Sequence, residues 1–237
     1  RDDYRAVGDE PLMLSAYGPV WVARDRAAGA VAAAKAGAQL VLLDDGFQNP
    51  ALVKDASLVM VDAVQGFGNG RVIPAGPLRE PVAEGLARAD AAVLVGPEAA
   101  CRQTQTRWPA LQSLPVIRAG LEPVPTGLPL QGAPVVAFAG IARPEKFFAT
   151  VRSLGCTIIA SHGFADHQPY SAQVIRRLIG EARGQGALLV TTEKDAVRLP
   201  PAFRSEVLTV QIRLEPQDWA PIDALIQRII GAANPVN

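Results

Sequence analysis

Apolar residues in this chain fall in short blocks rich in Val, Ile and Leu, separated by stretches with helical patterning. That alternation predicts βα units around largely parallel sheets. In the first half the predicted strands are residues 20–23, 40–43, 58–62 and 91–95, with helix-forming composition at 25–36 and 82–89. Gly37 is a natural stop for the first of these helices. Between residues 121 and 134 the chain turns rich in Pro and Gly (Pro123, Pro125, Gly127, Pro129, Gly132, Pro134), the signature of a linker. A second series follows, with strands predicted at 135–139, 157–160, 188–191 and 208–212 and helices at 144–154, 171–183 and 222–230. The fold class read from this pattern is α/β, with two Rossmann-like lobes and mostly parallel sheets. A lobe over 1–122, a linker over 123–134 and a smaller lobe over 135–237 are the expected divisions.

Composition narrows the picture. The chain has 237 residues, 49% of them hydrophobic, enough to bury a core. Lys+Arg and Asp+Glu both number 23, so broad electrostatic attraction to nucleic acid is not expected and any phosphate recognition must be local. Cys101 and Cys156 are far apart, match no metal-ligand spacing and read as inert thiols of a reducing compartment. Lys35, Asp44 and Asp45 interrupt the longest apolar stretch, so no membrane span is expected. The chain opens on a polar stretch, Arg1 to Tyr4, without a Met or a signal-peptide pattern, and reads as a fragment.

Chemistry concentrates at a few places. The run Leu40-Val41-Leu42-Leu43-Asp44-Asp45-Gly46-Phe47-Gln48 ends an apolar block at two carboxylates. In α/β sheets ligands bind beyond the carboxyl ends of strands, so these acids suit a Mg²⁺-nucleotide. Capping of a following helix is the competing reading. Residues 66–80 hold Gly66, Gly68, Asn69, Gly70, Arg71, Gly76, Arg79 and Glu80. Glycines allow close backbone approach, arginines fork onto phosphate, and Glu80 can reach a metal or its water shell, whereas a turn-rich loop with solvated charges is the alternative.

In Val7-Gly8-Asp9-Glu10-Pro11, Asp9 can serve as general base for a sugar hydroxyl or sit in a surface turn. His162 and His167 lie close together, too few for a zinc site of their own and better suited to acid–base or orienting roles, or to satisfying loop backbone. Past the strand at 188–191, Lys194 can contact phosphate, or Glu193, Lys194, Asp195 and Arg198 can pair on the surface.

Together, and in order, Val7 to Pro11, Asp44 to Gln48, Gly66 to Glu80, Phe164 to Tyr170 and Thr191 to Arg198 resemble the tetraacyldisaccharide 4'-kinase family over nearly the whole chain. The resemblance implies a P-loop-kinase-like N-terminal lobe, here incomplete. It also implies transfer of the ATP γ-phosphoryl group to the 4'-hydroxyl of an acylated disaccharide 1-phosphate, with ATP and Mg²⁺ as cofactors. By it, Asp9 is the catalytic carboxylate and His167 its partner from the second lobe. Asp45 and Glu80 belong to the metal site, and Asp44, Gln48, Arg79 and Lys194 to the nucleotide and its phosphates. Glu10, Asn69 and Arg71 fall on the substrate. The implied setting is the cytoplasmic face of a bacterial inner membrane, with peripheral contact mainly through an N-terminal helix and no nucleic-acid partner.

Three features depart from the family pattern. Asn49 and Gln168 stand where histidines are usual, and no Gly-x-x-x-x-Gly-Lys-Ser/Thr loop occurs. The family carries that loop ahead of the point where this chain begins, so the chain alone is expected to be inactive. Two other readings stay open from the residues: a Mg²⁺-dependent phosphohydrolase using Asp44 or Asp45 as nucleophile, and a non-catalytic α/β ligand-binding module.

Overall fold

A computed structural model describes residues 4–125 and 127–233; the polar opening lies, through residue 3, outside that range. The described residues form β1 (Leu58–Asp62), β2 (Ala91–Val95), β3 (Val116–Pro123), β4 (Pro134–Ala139), β5 (Thr157–Gly163), β6 (Leu188–Thr192), β7 (Leu208–Val210) and β8 (Ile212–Pro216). The helices are α1 (Tyr4–Val7), α2 (Asp9–Leu14), α3 (Arg26–Lys35), α4 (Val82–Leu86), α5 (Glu98–Arg107), α6 (Pro144–Ser153), α7 (Ala172–Gly184), α8 (Glu193–Ala196) and α9 (Ala220–Ala233).

By internal contacts the chain divides into two compact units, neither contiguous in sequence. One joins residues up to Lys35 to Pro123–Ile212; the other joins Ala36–Glu122 to residues from Arg213 onward. This grouping is not the linear division at 122 and 135. Strand β8 hydrogen-bonds beside β3, which draws the C-terminal segment back to the Ala36–Glu122 unit.

The Pro123–Ile212 unit is built on a sheet of order β5-β4-β6-β7 with every pair parallel. Central strand β4 (PVVAFA) is apolar throughout because both faces are covered. Val135, Ala137 and Ala139 face a cluster with Phe147, Phe148 and Val151 of α6. Val136 and Phe138 face the opposite cluster, with Ile175, Leu178, Ile179 and Ala182 of α7. The spacing of those four residues is one helical stripe. Helix α7 starts where Ser171 accepts the Val174 N–H at 3.2 Å, an N-cap that satisfies one orphan donor. Each fully buried Phe, Leu or Ile in these layers contributes about 1.5–3 kcal/mol.

In the other unit, β1, β2 and β3 pair in parallel, and β2 (AAVLV) is the buried strand. Leu94 and Ala92 pack with Cys101 of α5 and Leu111, while Ala91 and Val93 pack with Ile117 and Ala119 on the reverse face.

The structure departs from the pattern read in the sequence at four places. Residues 20–23 and 40–43 form no strand, and Val20, Trp21, Val22, Leu40, Val41 and Leu42 are exposed. An apolar run becomes a strand only where a neighbour completes its ladder, and among the described residues none pairs with these segments. The predicted strand 208–212 is two strands, β7 and β8, in different sheets. Helix α5 and strand β3 were not expected at all. Asp44 and Asp45 cap no helix, since they lie in a turn and α4 is the next helix along the chain.

Candidate active site

In the unit containing β4, α2 begins after Gly8, whose φ of 93° is left-handed and favours glycine. That turn delivers Asp9 into the protein rather than onto a surface loop: its side chain is 9% exposed. Asp9 Oδ2 lies 2.9 Å from His167 Nδ1, and Asp9 Oδ1 accepts the Glu10 N–H at 3.1 Å. Both residues belong to the same compact unit, which corrects the expectation that they approach from separate lobes. His167 itself adopts a left-handed φ of 57° and donates its backbone N–H to the Gly140 carbonyl at 3.2 Å. A non-glycine residue held in that conformation marks a loop fixed by its surroundings.

Burial pushes the Asp9 carboxyl up, but the His167 hydrogen bond and the charges of Lys194, His167 and Arg198 outweigh it and hold the group below its ordinary value. Asp9 is therefore a carboxylate at neutral pH. With Asp9 ionised, the proton of the shared hydrogen bond sits on His167 Nδ1, leaving Nε2 as the nitrogen able to exchange a proton. The His167 side chain is 56% exposed, so the imidazole rather than the carboxylate meets solvent.

Behind this pair lies a buried polar network that sequence reading missed. Asp195, fully buried, accepts hydrogen bonds at Oδ1 from Tyr170 Oη (2.6 Å), Arg198 Nη2 (2.6 Å) and the Gly140 N–H (2.9 Å). Thr192 Oγ1 donates to Asp195 Oδ2 at 2.6 Å and caps α8 by accepting the Asp195 N–H. Burial, then the Asp195 charge, pushes the Tyr170 hydroxyl far up, so it remains a donor. Arg198, 2% exposed, also donates to the carbonyls of Gly140 (2.8 Å), Gln168 (3.2 Å) and Lys194 (3.2 Å), and its Nε stands 3.6 Å from Asp9 Oδ2. The expected surface pairing of Asp195 and Arg198 is thus replaced by a buried ion pair. An acid and a base three apart just past a buried strand was the available signal.

Lys194 forms an ion pair with Glu10 at 2.9 Å, so the two residues expected to touch phosphate and substrate meet each other. Gln168 closes its own loop by accepting the Ala165 N–H at 3.1 Å. His162 pairs with Glu181 at 2.9 Å, away from Asp9 along β5 and α7.

The second unit gathers the other predicted residues. Gln48 donates to Glu80 Oε1 at 2.7 Å and accepts from Arg79 Nη1 at 3.2 Å, tying the Asp44–Asp45 segment to the Arg79–Glu80 segment. Arg88, unforeseen in the sequence, grips Glu80 through both guanidinium Nη atoms at 2.6 and 2.9 Å, and its guanidinium lies 5.1 Å from the Phe47 ring centre. Hydrogen bonds from Arg88 and Gln48 hold the Glu80 carboxyl below its ordinary value. Asp44 and Asp45 are exposed, Asp45 at a left-handed φ of 49°. Asn69 turns inward on its own loop, donating to the Ala75 carbonyl (2.9 Å) and accepting the Arg71 N–H (3.1 Å), while Arg71 is exposed. Asn49 likewise serves its turn, accepting the Ala51 N–H at 2.8 Å. Among the described residues no three His, Cys, Asp or Glu side chains converge as a ready metal site. Cys101 and Cys156 are buried and unpaired with each other, and burial pushes both thiols up.

These features define an α/β protein of mostly parallel sheets with an ionised, buried carboxylate hydrogen-bonded to an exposed imidazole, an arrangement able to move a proton on or off a hydroxyl. The sequence model of the family Tetraacyldisaccharide-1-P 4'-kinase (LpxK) matches residues 1–230. The chain is 56% identical over 227 residues to the tetraacyldisaccharide 4'-kinase of Jannaschia sp. (strain CCS1), covering 96% of this chain and 69% of that protein. It is likewise 56% identical over 234 residues to the tetraacyldisaccharide 4'-kinase of Dinoroseobacter shibae, covering 98% of this chain and 69% of the relative. The crystal structure of the "apo" form of LpxK from Aquifex aeolicus in complex with ATP superposes with a TM-score of 0.71 at 23% identity, over 97% of this chain and 71% of that one, and shares the fold. The chain belongs to the tetraacyldisaccharide-1-P 4'-kinase family.

Proposed function

We propose that this chain carries the acceptor-activating chemistry of an ATP-dependent kinase that phosphorylates the 4'-hydroxyl of tetraacyldisaccharide 1-phosphate, a step of lipid A synthesis. The observation that carries the reading is the 2.9 Å contact between the buried Asp9 carboxylate and His167. Phosphoryl transfer runs through a loose transition state in which the attacking hydroxyl loses its proton late, so a carboxylate of low basicity suffices if it is positioned. Asp9 orients the 4'-hydroxyl and takes its proton, becoming a neutral acid, and His167 fixes the carboxylate through its Nδ1 hydrogen bond.

The exposure of the pair favours a second division of labour. His167, 56% exposed, receives the proton at Nε2, while Asp9, 9% exposed, holds the ring in the matching tautomer. The acid limb of the kcat profile separates the two: an Asp9 base keeps activity down to a pH below the ordinary carboxylate range.

In the other unit, Asp44, Gln48 and Arg79 are assigned to the nucleotide. Mg²⁺ takes one or two carboxylates with waters and phosphate oxygens, which the exposed Asp45 fits. Glu80, gripped by Arg88, is suited to the metal's water shell rather than to direct ligation. When bound, Mg²⁺ neutralises charge on the transferring phosphoryl group. No helix of the described residues is long and apolar enough to cross a membrane. The acyl chains of the substrate nevertheless place the reaction at a membrane surface, and ATP places it on the cytoplasmic face.

The test is transfer of label from γ-labelled ATP to tetraacyldisaccharide 1-phosphate by the full-length gene product. Labelling of the 4'-position is the expected result, and labelling of another acceptor but not this lipid overturns the substrate assignment. Release of phosphate without acceptor identifies a hydrolase.

A further inference from the structure

Arg198 is the single side chain that touches both the buried Asp195 network and Asp9 among the contacts described. Its guanidinium is committed on every edge. Nη2 is spent on Asp195 Oδ1 and the Gly140 carbonyl, Nη1 on the Gln168 carbonyl, and Nε on the Lys194 carbonyl, 3.6 Å from Asp9 Oδ2. Two of those backbone acceptors lie next to the acid–imidazole pair in the chain or in space. Gln168 follows His167 directly, and the Gly140 carbonyl also accepts the His167 N–H. The Tyr170 ring lies under the guanidinium at 5.6 Å, and its hydroxyl reaches the same Asp195 oxygen. A planar fork with its donors fixed in this way cannot be imitated by an ammonium group.

We propose that Arg198 is a positioning residue for phosphoryl transfer: locked by Asp195 and Tyr170, it sets the His167 loop through the Gly140 and Gln168 carbonyls and holds the Asp9 carboxylate in its His167-bonded orientation. Its charge also balances that of Asp9. Asp195 already neutralises much of that charge, so Arg198 orients the carboxylate without quenching it as a proton acceptor. The inference rests on the reading of Asp9 and His167 as the acceptor-activating pair.

The experiment uses the full-length gene product and the variants Arg198→Lys, Asp9→Asn and their combination, assayed with ATP and tetraacyldisaccharide 1-phosphate. Lysine keeps Asp195 neutralised but loses the fork, so Arg198→Lys is expected to fold and to lose about 10²-fold in kcat, the scale of an ångström of misplacement. KM for ATP stays at the parental value, and the acid limb of the kcat profile moves to higher pH because a single ammonium drawn to Asp195 no longer places positive charge beside Asp9 Oδ2. The double variant is scarcely worse than Asp9→Asn alone, because the arginine acts through the carboxylate.

Parental kcat and an unmoved acid limb in Arg198→Lys, with Asp9→Asn inactive, overturn the positioning role while leaving the function of Asp9 intact. Parental kcat in Asp9→Asn overturns the underlying reading instead. Should Arg198→Lys fail to fold, Arg198→Met with Asp195→Asn removes charge from both buried partners together, and the same kcat and pH readouts apply. Multiplicative losses with Asp9→Asn in either background reduce Arg198 to a purely structural residue.

Discussion

Asp9 Oδ2 and His167 Nδ1 stand 2.9 Å apart although 158 positions separate them in the chain. One residue starts a short helix after a left-handed glycine, and the other sits in a left-handed loop after β5.

If the pair acts as a unit, Asp9→Ala and His167→Ala in the full-length gene product each lower kcat by about 10²-fold or more, within the range for general acid–base groups. KM for ATP changes little. The double variant is close to the worse single variant, and steady-state kinetics on the three proteins decide the matter.

The lowered Asp9 ionisation has a stability consequence whose sign is fixed. A carboxylate with a folded-state value below its unfolded one stabilises the fold above the unfolded value, and the contribution disappears as pH falls through the folded value. Asp9→Asn is therefore expected to be less stable than the parent near neutrality, with the gap closing below about pH 4. Urea midpoints across pH measure it; a gap that is constant with pH contradicts it.

Tyr170→Phe removes a hydrogen bond to a buried carboxylate while keeping the ring packed edge-on against Phe138 and Phe164. Loss of a bond to a charged group predicts about 1.5–3 kcal/mol of destabilisation. Chemical denaturation with an unchanged slope is the check.

Gly140 has no room for a side chain. A methyl group there would meet Tyr170 Oη at 2.7 Å and the Ala165 carbonyl at 3.1 Å. Gly140→Ala is expected to shift the two peptides flanking residue 140, whose N–H binds Asp195 and whose carbonyl binds Arg198, lowering kcat more than the melting temperature suggests. Parental kinetics in this variant would show that the network tolerates displacement.

Gln48 links Arg79 to Glu80, so Gln48→Ala releases Arg79 and leaves Glu80 held by Arg88 alone. The expected effect is a several-fold rise in KM for ATP. Stability should change by less than about 1 kcal/mol, because the Arg88–Glu80 pair that remains is surface-exposed.

Composition and periodicity sufficed for the α/β class and for the helices α6 and α7, because a buried parallel strand and a one-sided helix each leave a mark on the residues that form them. The ordered motifs likewise carried the family, and they singled out Asp9, His167 and the Gln48–Glu80 segment. Sequence could not decide which apolar runs become strands. Residues 40–43 and 91–95 look alike in sequence, yet only the second has a ladder on either side, and pairing is a property of neighbours. Nor could it set Arg198 and Asp195 apart from ordinary surface charges. Their burial follows from Tyr170 and Gly140 closing around them from other parts of the chain, and desolvation of that kind exists only once the tertiary fold has formed.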